Sequence, residues 1–235
     1  MLEQIVLAEK SLFLSLNNVH TPFWDAFMYL ISAHYTWGAA VICLILWLFY
    51  KKSWREAVLF IVIAVLMLTV ADQFVSTLIK PLAERLRPTY HPATKNVVMS
   101  VYDDLAGGYS FPSGHATNFF AISMLTALAF RNRIYVFTVF LLASVVAYSR
   151  IYLGVHFISD VSVGILLGLL IGWLFFRLYR WIRIRLFRPK QKEPWRIFKP
   201  TVSIWTAILS LYIFFMLAFS VEMSRVMERI GFYSC

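Results

Sequence analysis

Residues 134–176 read IYVFTVFLLASVVAYSRIYLGVHFISDVSVGILLGLLIGWLFF: two apolar runs, 134–149 and 157–176, joined by a short stretch that carries Ser149, Arg150, His156 and Asp160. A helix that crosses the hydrocarbon core of a membrane needs about 20 mostly apolar residues, with roughly 17–25 tolerated. The first run falls just short of that window, and the second fits it. Working outward, four more runs do the same: 113–131, which stops at Arg131; 57–79, which ends at Lys80; 34–50, stopped by Lys51 and Lys52; and 203–221. The spacing therefore predicts five or six membrane spans.

Composition agrees. Of 235 residues, 60% are apolar and only 14% charged, and the mean hydropathy is +0.71. A soluble domain averages nearer ~45–50% apolar and ~25% charged, so a disordered chain or an ordinary soluble globule is excluded. The net charge of +10 would suggest nucleic acid in a soluble protein. Here the distribution of the basic residues gives another reading. Fourteen of the 22 Lys and Arg fall at Lys51, Lys52 and Arg55, at Arg131 and Arg133, and along Arg177, Arg180, Arg183, Arg185, Arg188, Lys190, Lys192, Arg196 and Lys199. By the positive-inside rule that side is cytoplasmic, so the termini, the 81–111 loop and the 150–156 connection face outward. The run 177–199 reads as an anchor beside anionic lipid.

At the N-terminus, Leu2, Ile5, Val6, Leu12 and Leu16 recur at helical spacing with Glu3, Glu9 and Lys10 between them. This predicts an interfacial amphipathic helix, followed by a second short helix over 22–33. Glu3 and Glu9 stand where the basic start of a cleavable leader would lie, so none is expected. Cys43 and Cys235 have no Cys or His neighbour at a metal-ligand spacing, which predicts neither a disulfide nor a zinc site. The fold class expected is all-α, a polytopic membrane helical bundle of about six transmembrane helices with an N-terminal amphipathic helix. It forms one integral-membrane unit over 1–235: interfacial helices over 1–33, the catalytic bundle over 34–176, a basic cytoplasmic segment over 177–200, and a C-terminal span and tail over 201–235.

Ionisable residues are expensive inside a membrane and persist there when they are paired or functional. Here they gather at the outward ends of spans two to five, in three stretches. Lys80-Pro-Leu-Ala-Glu-Arg-Leu-Arg87-Pro88 supplies two fixed cations, and Arg suits bidentate contact with phosphate oxygens. In Tyr109-Ser-Phe-Pro-Ser113-Gly114-His115, a helix can open at Pro-Ser-Gly, and its free N–H groups make an anion site. Gly114 lets the backbone approach the anion, and His115 in the first turn can exchange a proton with it. The third stretch adds Arg150, then His156 and Asp160 four residues apart, one helix face in a continuous helix. Asp160 can accept from one imidazole nitrogen and leave the other as a lone pair, the arrangement of a histidine nucleophile or base. Together these residues describe a site that binds and cleaves a phosphate ester, with no carboxylate cluster to hold a metal.

The three stretches resemble the signature of the type 2 phosphatidic acid phosphatase family: K-x6-RP, PSGH and SR-x5-H-x3-D, each position filled between Lys80 and Asp160. The resemblance implies that His156 attacks phosphorus and becomes a phosphohistidine, that Asp160 orients it, and that His115 protonates the leaving oxygen and then activates water. It implies that Lys80, Arg87, Ser113, the Gly114 amide and Arg150 hold the phosphoryl oxygens. No metal or cofactor is implied. The substrate implied is a lipid phosphate or diphosphate at the outer face of a bacterial inner membrane, with undecaprenyl diphosphate the first choice, and phosphatidylglycerophosphate or lipid A the alternatives. A vanadium haloperoxidase would share the anion site, but those proteins are soluble. An anion-binding transporter or channel would need polar residues along its spans, and spans three to six have few.

Other polar residues carry weaker expectations. Asp72, two turns before Lys80, is expected to hydrogen-bond a neighbouring helix more than to pair with a site cation. Asp25 either starts a helix or supports the site cations. Tyr90, His91, Asp103 and Asp104 are expected to be solvated loop residues.

Overall fold

A computed structural model describes residues 2–50, 52–102, 106–187 and 195–229. Lys51, Asp103, Asp104, Arg188, Lys190, Lys192 and Cys235, named above, lie outside the described residues. The described chain is helical with no strand. Its helices are α1 (Leu2–Asn17), α2 (Pro22–Ser32), α3 (Gly38–Phe49), α4 (Trp54–Gln73), α5 (Lys80–Ala83), α6 (Gly114–Phe130), α7 (Arg133–Tyr152), α8 (Ile158–Phe187) and α9 (Trp195–Arg229). A π-helical segment, Phe74–Ile79, carries α4 into α5, so that Trp54–Ala83 is one long apolar rod. Four helices are long and apolar enough to cross a membrane. A fifth span is formed if α2 and the segment His34–Phe49, bent 68° apart, are counted together. With 17 residues, α6 is shorter than these.

One expectation about the N-terminal third needs correction. The run 34–50 is not one straight span: it opens with a 3₁₀ turn, His34–Trp37, and only 12 residues of α helix follow. Helix α2 packs within the bundle. Ala26, Phe27, Met28, Leu30 and Ile31 are all buried, packed chiefly against α9 and α7. The polar residues Asp25 and Ser32 of α2 are buried as well, bonded to Tyr152 and Arg150 of α7. On α1, Val6 and Phe13 are fully buried while the apolar Ile5, Leu7 and Leu12 are exposed.

The tightest helix pair is α6 on α8. On α8, Gly164, Gly168 and Gly172 recur every four residues and so form a single stripe. A Cβ at Gly168 would stand 2.4 Å from the Thr117 carbonyl oxygen, and one at Gly172 would stand 2.4 Å from that of Ala121. Only backbone fits there, which is how small residues let membrane helices approach closely. The contact also sets the register of the two helix starts: the Ser113 N–H donates to the Asp160 carbonyl at 3.0 Å. Helix–helix packing thus places the N-termini of α6 and α8 side by side.

The opposite end of the bundle is closed by Trp47, Phe60, Phe130, Tyr179 and Phe198. There Arg183, 1% exposed, sets its Nε 3.0 Å from both carboxylate oxygens of Glu56 and so links α8 to α4.

Candidate active site

The motif residues arrive at the same end of the bundle from helix ends and from the connections between them. Lys80 ends the long α4–α5 rod. The chain then turns at Glu84, whose φ of 46° lies in the left-handed region, and Arg85 and Arg87 fold back over the bundle. Gly114 and His115 open α6, Arg150 lies in the last turn of α7, and His156 sits in the connection before α8. Lys80, Arg87, Gly114, His115, Arg150 and His156 all line one cavity of about 480 Å³. Ser113 does not line it. Its hydroxyl caps α6 by accepting from the Ala116 N–H at 3.4 Å, and the residue is fully buried.

His156 is 2% exposed, and its two ring nitrogens meet different partners. Arg87 Nη1 lies 3.3 Å from Nε2. A guanidinium can only donate, so Nε2 carries the lone pair and Nδ1 the proton. That Nδ1 lies 3.4 Å from Ser110 Oγ and 3.6 Å from Asp160 Oδ2, and Ser110 Oγ donates a short hydrogen bond to the same carboxylate oxygen. Burial pushes the His156 pKa down to about 3, against the opposing pull of Asp160. The imidazole is therefore neutral near pH 7, with its lone pair directed at a guanidinium.

His156 and Asp160 do not share one helix face as their spacing suggested. α8 begins only at Ile158, and Asp160 turns back so that Oδ2 accepts the Phe157 N–H at 2.8 Å, as in a helix-capping box. The pairing survives because the carboxylate reaches back across the helix start. Asp160 is fully buried, and its other oxygen, Oδ1, accepts from Arg85 Nη1 at 2.6 Å.

The cations are held in place by backbone. Arg87 donates to the carbonyls of Val155, Gly107 and Gly108 at 3.0, 3.1 and 3.2 Å. Arg150 donates to Ser32 Oγ at the end of α2, and His115 Nε2 donates to the Ser32 carbonyl at 3.1 Å. The ring of His34 stands 4.5 Å from that of His115.

Several of these partners are absent from the motif reading. Arg85 lies between two motif cations, and its position in sequence marks it only as outward charge. Glu9, which accepts from Arg85 Nη2 at 2.7 Å, reads in sequence only as a polar residue of the first helix and as a mark against a leader peptide. Ser32 and Ser110 carry no pattern at all; only tertiary proximity selects them. Asp72 does not hydrogen-bond a neighbouring helix through its side chain among the described residues; it faces the cavity with Lys80. Asp25 lies away from the site cations, its Oδ1 accepting from Tyr152 at 2.6 Å and meeting His20 Nδ1 at 2.6 Å, and so ties α2 to α7. Tyr90 is exposed as expected, whereas His91 is 2% exposed, with Nε2 3.2 Å from Glu3 on α1.

A membrane bundle whose helix ends converge three cations, a helix N-terminus and two histidines on one cavity belongs to the class of membrane lipid phosphatases, hydrolases of phosphoric esters. Comparison with known proteins gives the family. The PAP2 superfamily model matches residues 61–184, and the chain belongs to that superfamily. Lipid A 4'-phosphatase of Porphyromonas gingivalis is 39% identical over 230 residues, covering 97% of each chain. Undecaprenyl-diphosphatase BcrC of Bacillus subtilis is 30% identical over 158 residues, covering 67% of this chain and 76% of its own. Among solved structures, that of Aquifex aeolicus LpxE superposes with a TM-score of 0.56 at 26% identity, covering 71% of this chain and 93% of its own.

Proposed function

We propose that this protein removes a phosphate from lipid A by way of a phosphohistidine at His156, with the site at the outer face of the inner membrane. The observation that carries the chemistry is the asymmetric environment of His156, a residue that lines the cavity: Nδ1 stands beside Ser110 and Asp160, and Nε2 beside Arg87. In the first step the Nε2 lone pair attacks phosphorus, the N–P bond forms and the P–O ester bond breaks. The leaving oxygen takes a proton from His115. The imidazole becomes positively charged, and the buried Asp160 carboxylate stabilises that charge. In the second step water gives its proton to His115 and attacks phosphorus, the N–P bond breaks and inorganic phosphate leaves. The covalent intermediate divides one difficult displacement into two. Lys80, Arg87, Arg150 and the Gly114 amide hold the phosphoryl oxygens, where fixed positive charge lowers both barriers. Ser113 contributes by fixing the start of α6.

Lipid A replaces undecaprenyl diphosphate as the first choice of substrate. A lipid A 4'-phosphatase matches this chain over nearly its whole length, whereas BcrC matches two thirds of it. The outward orientation rests on the basic residues at the other end of the bundle, Arg177, Arg180 and Arg185 among them.

Phosphate release from lipid A, undecaprenyl diphosphate and phosphatidylglycerophosphate, measured in chelator with His156→Ala alongside, tests the proposal. Release from lipid A that vanishes in His156→Ala is expected. Release from undecaprenyl diphosphate in preference to lipid A would overturn the substrate assignment. Turnover retained in His156→Ala would overturn the mechanism, and a metal requirement would contradict a metal-free site.

A further inference from the structure

We propose that Glu9, on the N-terminal helix α1, is a positioning residue for the reaction, acting on Asp160 through Arg85; the inference rests on the reading of His156 as nucleophile. Three observations carry it. First, the Glu9 carboxylate is fully engaged at the start of α8. Oε2 accepts the Ser159 N–H at 2.7 Å, and Oε1 accepts from Ser159 Oγ and from Arg85 Nη2, each at 2.7 Å. Second, the same guanidinium donates from Nη1 to Asp160 Oδ1 and to Ser159 Oγ, both at 2.6 Å. Third, the Arg85 side chain is buried, its guanidinium 4.8 Å from the Phe157 ring centroid, and its Nε has no hydrogen-bond partner among the described residues. A buried cation so placed has two carboxylates to divide itself between, and water screens neither contact.

The division matters for the chemistry. Asp160 must stay strongly negative to stabilise a positively charged phosphohistidine. Were Arg85 free to close on Asp160 with both nitrogens, it would neutralise that carboxylate and draw it away from His156 Nδ1. Glu9 holds one nitrogen, limits Arg85 to a single contact with Asp160, and pins the first turn of α8, from which Asp160 projects. Neither Glu9 nor Arg85 lines the cavity. Removing the Glu9 charge should therefore slow the chemical step and leave phosphate binding intact. A residue that only stapled α1 to the bundle would not separate the two.

The test is steady-state phosphate release from lipid A by full-length Glu9→Gln, Glu9→Asp and Arg85→Lys, with inorganic phosphate as competitive inhibitor and His156→Ala in parallel. Misplacing a reacting group by about 1 Å can lower activity about 100-fold. The expected result is a fall of that size in kcat for Glu9→Gln, with KM and phosphate inhibition nearly unchanged, and partial recovery in Glu9→Asp. Arg85→Lys, which keeps charge but loses the fork, should also lower kcat selectively. An unchanged kcat in Glu9→Gln would overturn the proposal. So would joint loss of kcat, phosphate inhibition and thermal stability in Glu9→Gln and Arg85→Lys, which would mark a structural staple. If His156→Ala retained turnover, the nucleophile reading itself would fall, an outcome separate from either of these.

Discussion

His156 is a neutral imidazole in a cavity full of cations, and its own protonation is what the surroundings oppose. Its pKa is lowered from the usual 6.5 to about 3, chiefly by burial. Below about pH 6.5 the unfolded chain takes up a proton that the folded site refuses. The stability this group contributes is complete above pH 6.5 and is lost as pH falls from there toward 3. In an NMR titration of histidine-labelled protein, the resonance missing from His156→Ala should not titrate between pH 6 and 7; a midpoint near 6.5 would contradict the buried, neutral nucleophile. Ser110→Ala removes the hydroxyl shared by His156 and Asp160. It should lower kcat about 10–100-fold with little change in KM, and kinetics on the purified variant check it. That Lys80, Arg87, Gly114, His115, Arg150 and His156 would gather was legible in sequence, because ionisable residues at the ends of apolar runs need partners or a task, and all six line one cavity. Ser32, Ser110 and Glu9 were not legible, because a lone hydroxyl or surface carboxylate becomes a partner only when distant helices bring it close.

At the scale of the elements, α6 and α8 are joined by backbone contact, so a methyl group has nowhere to go. Gly168→Ala would force its Cβ against the Thr117 carbonyl. Overpacking of this kind costs about 1–3 kcal/mol. Thermal unfolding should show the loss, and kcat should fall with it, since the same contact sets Ser113 against Asp160. Hydropathy found the long helices because burial in lipid needs only apolar length: 57–79, 134–149 and 203–221 each fall inside one, and 157–176 starts one residue before α8. It missed the break at His34–Trp37 because composition does not register a backbone turn. The glycine stripe was visible in the letters, but its use depends on which helix lies opposite.

Taken whole, the molecule has two polar ends with opposite duties. One gathers cations around an open cavity; the other buries the Glu56–Arg183 pair under aromatic rings. Removing one partner of a buried pair is strongly destabilising, on the order of 3 kcal/mol. Glu56→Ala should therefore lower the melting temperature of the detergent-solubilised protein and leave KM unchanged, because the pair lies at the far end of α8 from the cavity. The chemistry proposed for the other end runs through a covalent step at His156. The most direct test is the stereochemical course at phosphorus, read with an isotopically labelled lipid phosphorothioate made chiral at phosphorus and hydrolysed in labelled water. Two successive in-line displacements through phosphohistidine predict overall retention of configuration. Overall inversion would mean that water attacks the lipid phosphate directly, and would contradict the mechanism.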